Sequence, residues 1–392
     1  VKERVLLTGA RTVIALEVAR ALHRAGHTVF IAETFPSCLT AFSRCVESAF
    51  PVPAPRFEPD AFIDRLLALI RAHRISRLIA TGEEVLYIAR ARNRLAQACA
   101  VFCDQLEVLE GLHDKLRFQQ LASAIGPVPK TWRLESSAQL AALQEQEGKL
   151  VLKQVYSRFG HQVVVLERDE LAPTAAKLPA STSEAACGAW LAQKFIAGRE
   201  LCSFEIAHRG RLVAHVCYEP RFRLPLGPSF YFQPVAHSAI ETWARSFVRR
   251  YALTGSFAFD FIVASDGTPY PLECNPRCTS GAHLFPRDGS LAAALLDRGE
   301  AFPPPQRPAM WAWAMIGLGL SGDGGIAQLG GWLRAFLAAR DVFWDVQDLR
   351  PALRMFASAR HLKELSRKHG LSLREATTFY TEWNGPIGDQ TR

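Results

Sequence analysis

Residues Phe257–Phe285, FAFDFIVASDGTPYPLECNPRCTSGAHLF, decide how the rest of the chain is read. Apolar residues alternate around Asp260, Ser265-Asp266-Gly267-Thr268 forms a turn, and a second extended run ends at Glu273 and Asn275. This pattern predicts a β-hairpin. Its strands bring Asp260, Glu273 and Asn275 together at one end. Hard oxygen donors of this kind suit Mg²⁺ held jointly with substrate phosphates.

The 392 residues around this hairpin exceed one ordinary core and imply two or three domains. The chain is 49% hydrophobic and 21% charged, as a globular protein is, and its net charge of +8 favours anionic ligands. Lys and Arg are scattered rather than clustered among stacking aromatics, which argues against nucleic acid and for small anions. Nine cysteines make an odd number with no zinc-ribbon spacing, so reduced thiols in a cytoplasm are the reading. The opening VKERVLLTGA runs straight into a strand-like segment without a signal peptide's longer apolar core. The longest apolar run, Ala309 to Leu320, is too short and glycine-broken to span a bilayer, so no membrane partner is expected.

Upstream, a strand at Arg4–Thr8, a turn at Gly9, a helix from Thr12 to Ala25 and a strand at Thr28–Ala32 open a doubly wound sheet. The turn reads TGARTVIA and lacks the G-x-G-x-x-G of a dinucleotide site, so a Rossmann-like scaffold without a nicotinamide is expected. A proline-studded connection and a helix over Asp60–His73 lead to a strand at Arg77–Ala80. Glu83 and Glu84 follow its carboxyl end, where open α/β sheets bind ligands. They face a substrate or serve as helix N-terminal acids that complement the dipole. Ser43 and Arg44, in the loop after the second strand, are equally open.

A helix from His113-Asp114-Lys115 to Ala124, an extended Leu150–Gln154 carrying Lys153, and a Ser157-Arg158-Phe159-Gly160 loop follow. A lysine beside such a loop can hold phosphates through its charge and the loop's amides. Extended runs are expected at Trp190–Ile196, Leu201–Ala207 and Leu212–Tyr218. Arg221 and Arg223 come just after the last of these, as a surface basic pair or a carboxylate clamp. Pro303-Pro304-Pro305 marks a boundary, beyond which lie helical patterns and five of the eight tryptophans, with burial as their default role.

These separated motifs together resemble the ATP-grasp superfamily over roughly residues 1 to 300. The resemblance implies an α/β and α+β architecture: a Rossmann-like N-terminal domain (1–108), a two-lobed ATP-grasp domain (109–300) and a mainly helical C-terminal region (301–392). It implies ATP and Mg²⁺ as cofactors, with Mn²⁺ as a substitute. Lys115 and Lys153 match the family's two nucleotide lysines, with Ser157 in the phosphate loop. Gln193, Lys194 and Ile196 match the adenine hinge, the latter two through backbone, and Glu200 the ribose acid. Asp260, Glu273 and Asn275 match the metal ligands, and Arg277 an arginine near the transferred phosphate. Two departures stand out: SRFGH holds one glycine where many members have several, and Gln193 replaces an acid.

The resemblance implies a ligase reaction, in which ATP phosphorylates a carboxylate and an amine displaces the phosphate. Lys153 and Arg277 would be the catalytic cations. Glu83, Arg221, Arg223 and Arg277 are the candidates for holding substrate, and an amino acid or peptide-like molecule is the first expectation. A carboxyphosphate-forming enzyme resembling biotin carboxylase or carbamoyl-phosphate synthetase is the alternative within the family, and a non-catalytic ATP sensor the alternative outside it. His283 is read as structural. Dimers are frequent among relatives, so a homodimer is an assembly to test.

Overall fold

The computed structural model describes residues 1–392 apart from 36–37, 157–162, 168–189, 224–228, 319–328 and 386–392. Five parallel strands form the first sheet: β1 (Arg4–Thr8), β2 (Thr28–Glu33), β3 (Val46–Pro51), β4 (Arg77–Ala80) and β5 (Ala100–Phe102), in the order β3-β2-β1-β4-β5. Because both faces are covered, β1 reads as an apolar run, Val5, Leu6 and Leu7 being fully buried. The helix Val13–Arg24 starts where the Thr12 hydroxyl accepts from the Ala15 amide. Strand β3 had no counterpart in the sequence reading. Its VESAFP carries few β-branched residues, and pairing with β2 rather than propensity holds it.

A four-stranded sheet follows, from β6 (Thr131–Arg133), β7 (Leu150–Gln154), β8 (Val164–Leu166) and β9 (Trp190–Lys194), in the order β6-β9-β7-β8. It has its own small core of Leu134, Leu140, Leu143, Leu150, Leu152, Leu166 and Ala192. The third sheet has seven strands: β10 (Arg199–His208), β11 (Arg211–Arg223), β12 (Ser229–Val235), β13 (Gly255–Val263), β14 (Pro269–Asn275), β15 (Ala309–Met310) and β16 (Arg340–Asp341). Their order is β14-β13-β10-β11-β12-β15-β16, so the hairpin β13–β14 occupies one edge. An aromatic cluster of Phe118, Trp243, Phe247, Phe259 and Phe261 packs the helices Lys115–Ala122 and Ser238–Arg250 against this sheet.

Strand β11 runs five residues past Tyr218, so Arg221 and Arg223 lie within the strand rather than after it. Pairing with β12, through Arg221 opposite Tyr231 and Arg223 opposite Ser229, carries the strand through Pro220. Beyond residue 301, β15 and β16 extend the central sheet, and Arg20 of the helix Val13–Arg24 bonds Asp348 in a fully buried pair at 2.8 Å. Ser43 and Arg44 serve that anchor: the Ser43 hydroxyl and the Arg44 amide both donate to the Asp348 carboxylate. The tryptophans divide, Trp383 being 1% exposed while Trp313 and Trp344 are 44% and 42% exposed. No helix among the described residues is long and apolar enough to cross a membrane.

Candidate active site

The hairpin pairs Asp260 directly with Glu273 and Ala258 with Asn275. Residues two apart on a strand share a face, so Asp260, Glu273 and Asn275 project to one side. A register shift between Asp260 and Phe261 bends the strand at the acid itself. Among the described residues no group of three or more His, Cys, Asp or Glu gathers, and the donor set here is two carboxylates and an amide.

Two lysines converge on this corner from different elements. Lys115 is the first residue of the helix Lys115–Ala122, which is capped by Asp114 accepting from the Leu116 amide at 2.8 Å and the Arg117 amide at 3.0 Å. A cation at a helix N-terminus opposes the dipole, and an ion pair to Glu273 Oε2 at 3.4 Å offsets that cost. Lys153, on β7, donates to Gln193 Oε1 at 3.0 Å and to the Leu272 carbonyl at 3.3 Å, which ties the four-stranded sheet to the hairpin.

The electrostatics follow from this packing. Burial pulls the Lys153 ammonium down to about 8, against the opposing pull of Glu273. Burial, with the Glu273 carboxylate second, pushes Asp260 up to about 8. Burial also works against the Glu273 charge, but Lys115 and then Lys153 outweigh it and hold that carboxyl below its usual range. A carboxylate pushed up by its neighbour gains from a cation placed between the two. The residues therefore fit Mg²⁺, and the lysines beyond it fit phosphate oxygens.

Gln193, on β9, pairs with Thr131 of β6, whose hydroxyl accepts from Gln193 Nε2 at 2.8 Å. Gln193 thus orients Lys153, a task its sequence position did not reveal. The Lys194 amide is committed to the Lys130 carbonyl at 2.9 Å and its ammonium to Glu147 at 3.0 Å. Ile196 lies in the turn between β9 and β10. That turn is tightly seated, since a Cβ on Gly198 would come within 2.2 Å of the Val263 carbonyl oxygen. Gly198→Ala is expected to push the hinge off the end of β13, destabilising the fold by about 1–3 kcal/mol and weakening nucleotide binding. A melting curve and an ATP titration check both effects.

Glu200 pairs with Arg223 at 2.8 Å, each about 40% exposed, at the solvent edge of the site. Arg221 is exposed, its guanidinium 5.8 Å from the Phe222 ring centre. Ser157 lies outside the described residues. Arg277 donates to Asn275 Oδ1 at 3.3 Å and stands 4.0 Å from Glu83 Oε1. The adjacent acids after β4 divide their work. Glu84 turns inward, accepting from the Thr8 hydroxyl and the Thr81 and Gly82 amides, while Glu83 turns toward Arg277. His283 is fully buried against Glu17 at 3.2 Å. Sequence reasoning missed Trp383, whose amide donates to Glu83 Oε2 at 3.3 Å, because no local pattern connects positions 300 residues apart.

No family model matches this sequence, and no curated protein does either. Solved structures resemble it in fold. N5-carboxyaminoimidazole synthetase from Staphylococcus aureus, complexed with ADP, superposes with a TM-score of 0.61 at 13% identity, over 79% of this chain and 82% of that one. L-amino acid ligase from Bacillus licheniformis gives 0.58 at 17% identity, over 78% of each chain. The biotin carboxylase domain of Hydrogenobacter thermophilus 2-oxoglutarate carboxylase, in complex with MgADP, ADP and bicarbonate, gives 0.59 at 13% identity, over 79% and 74%.

Proposed function

From a chain with the ATP-grasp fold, we propose an ADP-forming ligase that activates a carboxylate and joins it to an amine. The observation that carries this reading is the meeting of Lys115 and Lys153 at the Asp260–Glu273 pair, two cations and two carboxylates drawn from four separate elements. Asp260, Glu273 and Asn275 would hold Mg²⁺, which would supply neutralising charge to the phosphates. The chain's own part is positioning. Lys115 and Lys153 spread charge over the phosphates, Gln193 steadies Lys153, and the hinge at Lys194 and Ile196 receives adenine, with Glu200 at the ribose. Arg277 faces the transferred phosphate and the acid.

Arg277 and Glu83 stand side by side with opposite charges, matching the carboxylate and ammonium of an amino acid. An α-amino acid is therefore the acid substrate of choice, handled in the cytoplasm, with a second amine as nucleophile. Carboxyphosphate formation is the second reading, because a biotin carboxylase domain is among the proteins that share the fold. One screen tests both: ADP release with a panel of amino acids paired with amines, and with bicarbonate alone. Release that needs an amino acid supports the ligase, and release that needs only bicarbonate supports the second reading. ATP binding without release from any combination leaves a nucleotide sensor.

A further inference from the structure

The segment that follows the helix Leu373–Thr378 crosses the molecule to the Glu83–Arg277 pair. Arg56 anchors it: the Arg56 amide donates to the Tyr380 carbonyl at 3.1 Å, its guanidinium to the Phe379 carbonyl at 3.2 Å, and the same group pairs with Glu382. The Tyr87 hydroxyl then donates to the Glu382 carbonyl at 2.8 Å. At the next residue the Trp383 indole is buried, edge-on to Tyr87 at 4.8 Å. The Trp383 amide meets Glu83 Oε2, while the other oxygen of that carboxylate faces Arg277. Two residues on, Gly385 lies beside Tyr156, where a Cβ would make van der Waals contact with its ring at 3.6 Å. Tyr156 follows the strand that carries Lys153, and the intervening Val155 carbonyl accepts from Lys115 at 3.4 Å.

We propose that Thr381–Gly385 is a wall of the acid-substrate pocket, with Trp383 a positioning residue that orients Glu83 toward Arg277. The inference rests on the ligase reading and extends it to residues far outside the nucleotide-binding part of the chain. One carboxylate oxygen held by a backbone amide leaves the carboxylate little freedom to rotate, so the second oxygen is presented to a substrate ammonium in a set direction. The same segment reaches Tyr156, two residues past the end of β7, which places the wall between the substrate end and the nucleotide end.

The test compares wild type, Trp383→Ala, Trp383→Phe and Arg56→Ala in ADP release, using the most active amino acid and amine from the screen. Releasing the anchor of a hydrogen bond to a charged group is expected to raise KM for the amino acid about tenfold in Trp383→Ala and roughly threefold in Arg56→Ala. KM for ATP stays within about twofold, and Trp383→Phe restores most of the loss by refilling the pocket beside Tyr87. The Arg56 side chain is 26% exposed, so its variant decides the matter if Trp383→Ala fails to fold. Unchanged KM for the amino acid in Arg56→Ala and in any folded Trp383→Ala, with only a lowered melting temperature, overturns the proposal and leaves a purely structural clasp. A wild type that binds ATP yet releases no ADP overturns the ligase reading and this inference together.

Discussion

Glu273→Gln is expected to reduce ADP release by at least about a hundredfold, the scale of losing one preorganised charge contact at a reacting centre. The substitution keeps the shape and removes the charge on which the corner depends. Lys115 loses the partner 3.4 Å away, Lys153 loses an attraction that supports its proton, and Asp260, held up first by burial, loses the neighbouring charge that adds to it. The fold should persist, because Glu273 lies on the edge strand of the seven-stranded sheet with its side chain 30% exposed. ADP release and a melting curve on the same preparation separate the two effects. Normal turnover by the variant would remove the metal assignment.

Lys153→Met carries the second large effect, about a hundredfold weaker ATP binding, since the variant keeps the side-chain stem and deletes only the charge and its donors. Lys153 is 5% exposed, so removing a buried cation also changes stability in a pH-dependent way. An unfolded lysine keeps its proton to 10.5, whereas Lys153 in the folded protein gives it up near 8. Across that window the unfolded chain holds more protons, so wild-type stability gains from this group as pH rises from about 8 to 10.5. The methionine variant lacks the gain, so its stability relative to wild type should fall over the same window. Chemical denaturation of both proteins at several pH values reads the difference. Parallel curves, or unchanged ATP affinity, would move Lys153 out of the site.

Parts of this site were legible because they depend on one short stretch. The hairpin follows from alternation and a Ser-Asp-Gly-Thr turn, whereas the pairing of Asp260 with Glu273 depends on the register shift after Asp260, since the regular register would set Asp260 opposite Leu272. The strand Leu150–Gln154 and the cap at Asp114 are local in the same sense, which is why Lys153 and Lys115 stood out. Arg223 shows the opposite case. A Glu-Pro-Arg sequence after an apolar run reads as a strand end, but β12 pairs alongside and the strand continues, delivering Arg223 to Glu200. Adjacent Glu83 and Glu84 were indistinguishable in sequence and both are buried; the Thr8, Thr81 and Gly82 donors around Glu84 separate it from Glu83, which meets Arg277 and the Trp383 amide.

The sequence by itself determined the elements and the residue types on each face. A strand's period of two and a helix's end groups are properties of a few consecutive residues. Tertiary structure decided which faces meet. It brought Lys115 and Lys153 to the hairpin acids, gave Gln193 to Lys153 and set Trp383 against Glu83. Each of those contacts joins residues at least 40 positions apart, and their meeting depends on how sheets and helices pack, which no local pattern encodes.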